Sequence, residues 1–227
     1  MKLENVVPWG RNLSEYKEMF LFTNKDKKKK ILGCGDGPAS VNFELTQMGV
    51  NITSIDPIYR FSKDAIKERV EETSSLVSEQ LRKNQADFVW KNIKDVESLI
   101  KLRLLAMQNF LEDYEQGQKQ RRYLHQELPN LEFEDESFDL VWSSHFLFLY
   151  SEHFDEEFHK SAVLEMLRVA KEVRIFPLLD LNNKKSPHLE AVLKLLDELE
   201  YSYEIKKSHY EFQKGANEVL VIRKCPK

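Results

Sequence analysis

Three of the seven glycines in this 227-residue chain, Gly33, Gly35 and Gly37, fall within five positions. Glycine costs an ordered element about 0.5–1 kcal/mol relative to alanine. Such a cluster therefore points to a tight turn, or to a backbone that a ligand approaches closely. An acid, Asp56, follows at about the twenty-residue distance expected of the first half of a nucleotide-binding unit. Bare main chain at Gly35 and Gly37 would let a ligand lie against the peptide. The Asp56 carboxylate would accept hydrogen bonds from both hydroxyls of a ribose. The chemistry indicated is nucleoside binding; the plain alternative is a tight strand–helix turn with no ligand.

The elements that must hold these residues can be read on either side. KKKKILGC reads as a strand entering the glycines. ASVNFELTQMG leaves them at helical spacing, with Val41, Leu45 and Met48 on one face and Gly49 as the stop. VNITSIDP alternates as a strand does, closed by Asp56 and Pro57. Before all of this, NLSEYKEMFLF predicts a short amphipathic helix over 12–22.

Residues 61–122 carry apolar residues near helical spacing (Ile66, Val70, Val77 and Leu81, then Val96, Leu99, Met107, Phe110 and Tyr114), with no glycine before Gly117. A crossover needs only about a dozen residues or somewhat more, so a helical insertion is expected here within one domain spanning 1–227. It would rise from the sheet edge that carries Asp56, as a lid or as a dimerisation surface. Trp90, Arg103, Arg121 and Arg122 would then read a substrate; the simpler expectation for each arginine is a solvated face.

Downstream, RRYLHQ is a short strand, ELPNLEFEDES a loop and FDLVWSSHF an apolar strand. Asp155–Lys171 is a helix, KEVRIFPLL a strand, and Ser186-Pro187 an N-cap and N1 pair opening the helix HLEAVLKLLDEL. YSYEIKKSHYEF and NEVLVIRK close the chain as a hairpin around Lys214 to Asn217. Strands alternating with helices predict an α/β fold: a mostly parallel central sheet, helices on both faces and a C-terminal antiparallel strand pair.

Two nucleotide readings compete for the glycines. The dinucleotide pattern GxGxxG fails because Pro38 holds its third position, which argues against an NAD(P)-dependent oxidoreductase. The looser GxGxG run matches at Gly33, Gly35 and Gly37. With ILGCGDGPAS, ITSIDPIYRF, ELPNLEFEDESFDLVWSSHFLFLY and LRVAKEVRIFPLLDL in this order, the sequence resembles the class I, Rossmann-like S-adenosylmethionine-dependent methyltransferases. The resemblance is closest to a bacterial group of unassigned substrate, and its motifs cover about residues 31–60 and 123–181.

The resemblance implies S-adenosylmethionine as cofactor, S-adenosylhomocysteine as product and no metal. It implies that Gly33, Cys34, Gly35, Asp36 and Gly37 form the cofactor loop, with Gly35 and Gly37 against the methionine and ribose. Asp56, followed by Pro57, would hold the ribose. Glu127 would face the adenine amino group and Leu128 would cover its ring. Ser143 and Ser144 would lie beside the methionine and face the substrate. Family members often carry an acid just before the glycines. Here Ile31 or Gly33 stands in its place, and Asp36 is the substitute to hold the methionine amino group.

Methyl transfer from a sulfonium is an in-line displacement in which alignment carries much of the rate. A base is needed only for a protonated acceptor. His145, just after Ser144, is the candidate general base, and a packed histidine between Phe146 and Phe148 is the alternative. Tyr16 and Tyr150 are further candidates at the substrate. So are Trp9 and Arg11, which precede the first helix; capping or packing is the alternative for them. A second function class is a catalytically degenerate S-adenosylmethionine-binding module that regulates a partner.

Composition bounds the rest. Hydrophobic residues make up 41% and charged residues 32%, with a net charge of −4. That supplies a core under a charged surface, without the basic–aromatic stripe of a nucleic-acid binder. A small-molecule acceptor is therefore expected rather than RNA or DNA, with protein substrates left open, and a monomer or homodimer. Cys34 and Cys225 make no disulfide framework and no zinc pair. The six histidines show neither HxxxH nor HExxH. The N-terminus lacks the apolar stretch of about 7–15 residues that marks a signal peptide. A soluble, cytoplasmic protein without a membrane partner is expected.

Overall fold

In a computed structural model, residues 7–224 are described; Cys225 lies outside them. Seven strands form one sheet in the order β3-β2-β1-β4-β5-β7-β6. They are β1 (Ile31–Cys34), β2 (Ile52–Ile55), β3 (Tyr123–Leu124), β4 (Phe138–Ser144), β5 (Ala170–Phe176), β6 (Ser202–Lys207) and β7 (Glu218–Arg223). The pairs joining β3, β2, β1, β4 and β5 are parallel. β7 runs antiparallel to both β5 and β6. This is the Rossmann-like methyltransferase fold with its C-terminal antiparallel pair, as expected.

Strands buried on both faces read as apolar runs. In β1 all four residues are buried, and β4 exposes none. One face packs against α1 (Leu13–Met19), α2 (Val41–Gln47), α3 (Lys63–Lys83) and α4 (Val96–Lys119), through Met19, Phe20, Leu45, Val77, Leu99 and the fully buried Trp142. The other packs against α5 (Glu156–Val169) and α6 (Leu189–Glu198), through Ala162, Met166, Val192 and Leu196.

The expected insertion, 61–122, has two unlike halves. α4 lies against α2 and β3 and is the crossover helix that covers the β2–β3 edge. Tyr59, Phe110, Tyr114 and Tyr123 form its aromatic seam. α3 packs on α4 as the additional helix. The segment joining them docks on the loop between β6 and β7: Val89 N donates to Phe212 O at 2.7 Å, and Phe88 stacks on Phe212 at 4.8 Å.

Two local expectations shift. α6 begins at Leu189 with His188 as its cap residue, so Ser186 and Pro187 lie in the turn ahead of it. There the Ser186 hydroxyl accepts from His188 N at 3.3 Å. β6 and β7 pair as expected, but the connection is a ten-residue loop over 208–217, not a tight turn.

Candidate functional site

The chain leaves β1 toward β2 and β3, then returns across β1 to β4 and β5. Strand order thus reverses between β1 and β4, and ligands in open α/β sheets sit outside the strand ends at such a point. A cavity of about 470 Å³ lies there. Gly35, Asp36 and Gly37 line it from the end of β1, and Asp56, Pro57 and Ile58 from the end of β2. Glu127 and Leu128 face it from beyond β3, and Ser144, His145 and Phe146 from beyond β4. Trp9, Arg11 and Tyr16 close it from the N-terminal side, and Leu149, Tyr150 and Leu181 complete the wall, with the Tyr150 hydroxyl accepting from Val7 N at 3.2 Å.

The glycine loop is shaped by its neighbours. Gly35 and Gly37 adopt left-handed φ of 72° and 53°, a region that costs other residues about 1–2 kcal/mol. A Cβ on Gly37 would meet only Asp56 Oδ2, at 3.8 Å, so its backbone stands open. The Gly37 carbonyl accepts from the Tyr59 hydroxyl at 2.7 Å, and Tyr59 O in turn accepts from the Tyr114 hydroxyl of α4 at 2.9 Å. The aromatic seam of α4 thereby braces the loop.

Two carboxylates sit behind this backbone. Asp36 accepts from the Tyr16 hydroxyl at 2.9 Å and from the Ser54 hydroxyl at 2.6 Å. Asp56 accepts from Gly37 N at 2.8 Å and from Ile58 N at 2.9 Å. Burial pushes both carboxyl groups up to about 6, against the hydrogen bonds they accept. Asp56 adds to the rise at Asp36, and Glu127 to the rise at Asp56.

His145 sits at the strand end in the left-handed region, with φ 52°. Non-glycine residues held there cluster at functional sites. Its N–H donates to Phe176 O at 2.7 Å, and its Nδ1 lies 3.0 Å from Ser144 Oγ. The Ser144 hydroxyl points to Met19 Sδ at 3.8 Å. In the Ser144 contact the hydroxyl can donate to an unprotonated Nδ1 or accept from a protonated one, so either tautomer satisfies it. Burial, then Arg11 and Arg103, hold the imidazole well below its usual range, so it is neutral near pH 7.

Several expected residues fall elsewhere. Gly33 does not line the cavity: a Cβ there would sit 1.8 Å from Asp36 Oδ2, so its role is to make room for that carboxylate. Cys34 and Ser143 are fully buried within the sheet, away from the cavity. Trp90 lies against Phe88 and Phe212, outside the main cavity. Arg103 is buried and paired with Glu15 of α1, neither solvated nor facing the main cavity. Arg122 grips Asp113 through two contacts of 2.6 and 2.7 Å, and Arg121 is exposed.

Some lining residues carried little sequence signal. Val77 reads as part of the buried stripe of α3, and Leu181 arrives from a loop after β5. Phe146 and Leu149 could have been found as part of the apolar run that continues beyond the β4 strand end. Among the described residues, no helix is long and apolar enough to cross a membrane, and no three His, Cys, Asp or Glu side chains form a metal cluster.

Residues 105–173 match the family model described as a methyltransferase domain. Over 227 residues the chain is 37% identical to the uncharacterized protein MJ0045 of Methanocaldococcus jannaschii, covering 99% of each. The chain belongs to the family of that archaeal protein. Nothing in this match bears on the bacterial group expected from the motifs.

Among solved structures, the chain is similar to a candidate S-adenosyl-L-methionine-dependent methyltransferase from Methanococcus maripaludis. Identity is 14%, the TM-score is 0.50, and the match covers 95% of this chain and 84% of that one. It is more distantly similar to magnesium protoporphyrin IX methyltransferase from Synechocystis PCC 6803 with bound SAM, at 12% identity and a TM-score of 0.45, covering 87% and 71%. The first of these likenesses places the fold among the methyltransferases.

Proposed function

We propose that the chain is an S-adenosylmethionine-dependent methyltransferase acting on a small-molecule acceptor. The observation that carries this is the convergence at the sheet's switch point. Open glycine backbone, the Asp56 carboxylate and the Ser144–His145 strand end face one cavity of about 470 Å³, a volume usual for small-ligand sites. The methyltransferase-domain match over 105–173 supports the same reading.

The residues fit the cofactor. Ile58 and Leu128 offer apolar surfaces for a purine, with Glu127 beside them to accept from an amino group. Asp56 spends one lone pair of each oxygen on Gly37 N and Ile58 N; a carboxylate has about four such sites, which leaves two for ribose hydroxyls. Asp36, in the loop, faces the cavity where a methionine ammonium would sit. S-adenosylmethionine would supply there a methyl on a sulfonium, which passes to an acceptor lone pair as the S–C electrons return to sulfur.

The chain's own part is alignment and exclusion of water, which can supply roughly 7–11 kcal/mol. Neutral His145 keeps one ring nitrogen unprotonated, which would accept a hydrogen bond from an acceptor O–H or N–H and orient its lone pair. α3, contributing Val77 to the wall, serves as the roof.

Calorimetric titration with S-adenosylmethionine, S-adenosylhomocysteine and NAD⁺ tests the cofactor. Saturable heat with the first two and none with the third is expected. Silence with both sulfur nucleosides would overturn the reading. Transfer of labelled methyl from S-adenosylmethionine into a small-molecule fraction of cell extract tests the reaction.

A further inference from the structure

We propose that Arg11 recognises a carboxylate on the methyl acceptor, so that the acceptor is a small carboxylic acid with an apolar body; this rests on the methyltransferase reading above. A second chamber, of about 70 Å³, opens off the main cavity. Trp9, Arg11, Val77, His145, Leu149 and Leu181 border both. Arg11 therefore stands at the neck between the two spaces, beside His145 and away from the Asp56–Glu127 end.

The Arg11 side chain is short of partners. A guanidinium carries five N–H donors. Nη1 donates to Trp9 O at 3.2 Å, and Nε is buried with no hydrogen-bond partner among the described residues. Glu15, whose negative charge reaches Arg11, is already taken: Arg103 Nη1 binds its Oε2, and the Tyr210 hydroxyl donates to its Oε1 at 2.9 Å. Around Arg11 the cluster thus holds two guanidinium groups, the Glu15 carboxylate and a neutral imidazole, and the Asp87 carboxylate lines the small chamber without an ion pair to Arg11 among the described residues. A half-buried cation without its own counter-ion is held at a cost, and a carboxylate meets the guanidinium fork with two parallel hydrogen bonds.

The backbone holds Arg11 in this place. A Cβ on the preceding Gly10 would meet Pro38 O at 2.1 Å, so only glycine lets the N-terminal segment cross the glycine loop so closely. Ser40 N then donates to Arg11 O at 3.1 Å. The two ends of the cavity thus differ in charge. Asp56 and Glu127 suit hydroxyl and amino donors, whereas Arg11, backed by Arg103, suits an anion. Between them Trp9, Val77, Leu149 and Leu181 supply apolar walls for the acceptor's body.

The test titrates the protein, saturated with S-adenosylhomocysteine, with phenylacetate and with its neutral isostere phenylacetamide. Native protein is expected to prefer the acid by about tenfold or more, the scale of a charge-assisted hydrogen bond. Arg11→Met is expected to abolish that preference while S-adenosylhomocysteine binds as before. If Arg11→Met fails to fold, Arg11→Gln, which keeps amide donors but no charge, takes its place in the same comparison. No preference in native protein, or a preference that survives the substitution, overturns the proposal. Loss of S-adenosylhomocysteine binding on substitution also overturns it, because the cofactor's own carboxylate would then be what Arg11 holds. Native protein that binds no S-adenosylhomocysteine at all marks the failure of the underlying methyltransferase reading, separately from these outcomes.

Discussion

Gly37 donates its backbone N–H to Asp56 Oδ2 at 2.8 Å, which ties the glycine loop after β1 to the carboxylate that ends β2. The same carboxylate caps the short turn Pro57–Arg60 through Ile58 N at 2.9 Å. One side chain therefore shapes both walls of the proposed ribose seat. Asp56→Ala is expected to weaken S-adenosylhomocysteine binding by roughly 1–3 kcal/mol, the range for losing hydrogen bonds to a charged group. Unchanged affinity by calorimetry would remove Asp56 from the seat.

The raised carboxyls at Asp36 and Asp56 set opposite pH trends for stability and binding. Their folded values, about 6, lie above the ordinary value of 3.8. Between these values the folded state holds more protons than the unfolded one. The stability these groups contribute is fully present below about pH 4 and is lost as pH rises through 6. Unfolding free energy compared between native protein and Asp36→Asn should therefore shift in the variant's favour from pH 5 to pH 7; a pH-independent difference would contradict it. Affinity runs the other way, because protonated Asp56 loses its charge and part of its acceptor capacity. S-adenosylhomocysteine should bind more weakly at pH 5 than at pH 7.

Gly35 combines two constraints. Its φ is 72°, and a Cβ would lie 3.0 Å from the Phe146 ring. Gly35→Ala should cost about 1–2 kcal/mol of stability from the backbone alone and also crowd the loop against a ligand. Denaturant unfolding would read the first effect and calorimetry the second. A variant as stable as the native protein would show that the turn relaxes freely.

His145 should stay neutral through the range in which an ordinary histidine titrates. Burial and the two nearby guanidinium groups both disfavour its cation. Its ring resonances in nuclear magnetic resonance spectra should not move between about pH 6 and pH 8, and the methyl-transfer rate should show no inflection from it there. A titration near 6.5 would mean that the site is open to water.

What could be read in advance followed local rules. Gly35, Gly37 and Asp56 announce themselves because a left-handed turn demands glycine and a strand end places the acid at a fixed distance. The sheet and its antiparallel finish followed from alternating periodicities. Contacts between distant segments left no such trace. Gly33 reads as part of a ligand loop, yet its missing side chain serves Asp36, whose partners Tyr16 and Ser54 come from α1 and β2. Val77 and Leu181 reach the cavity only because α3 and the loop after β5 converge there. Helical spacing says where Arg103 lies along α4, but not that a carboxylate 88 residues earlier awaits it.

That pair, Arg103 with Glu15, carries the last prediction. Both side chains are buried, and they join α4 to α1 beneath the N-terminal segment that bears Trp9 and Arg11. Burial pushes the Glu15 carboxyl up, but Arg103, then Arg11 and the Asn12 N–H, together outweigh this and hold it below the usual range. Removing one partner of a buried pair strands the other charge, at a cost of about 3–5 kcal/mol, whereas replacing both with apolar groups is often close to neutral. Arg103→Met should therefore destabilise strongly, and the double variant Glu15→Leu/Arg103→Met should recover most of the loss in urea unfolding. Additive losses in the double variant would mean that the hydrogen bonds of Glu15 to Asn12 N and to the Tyr210 hydroxyl, at 3.2 and 2.9 Å, outweigh the ion pair. Glu15 would then act chiefly as the cap of α1, and Arg103 as packing.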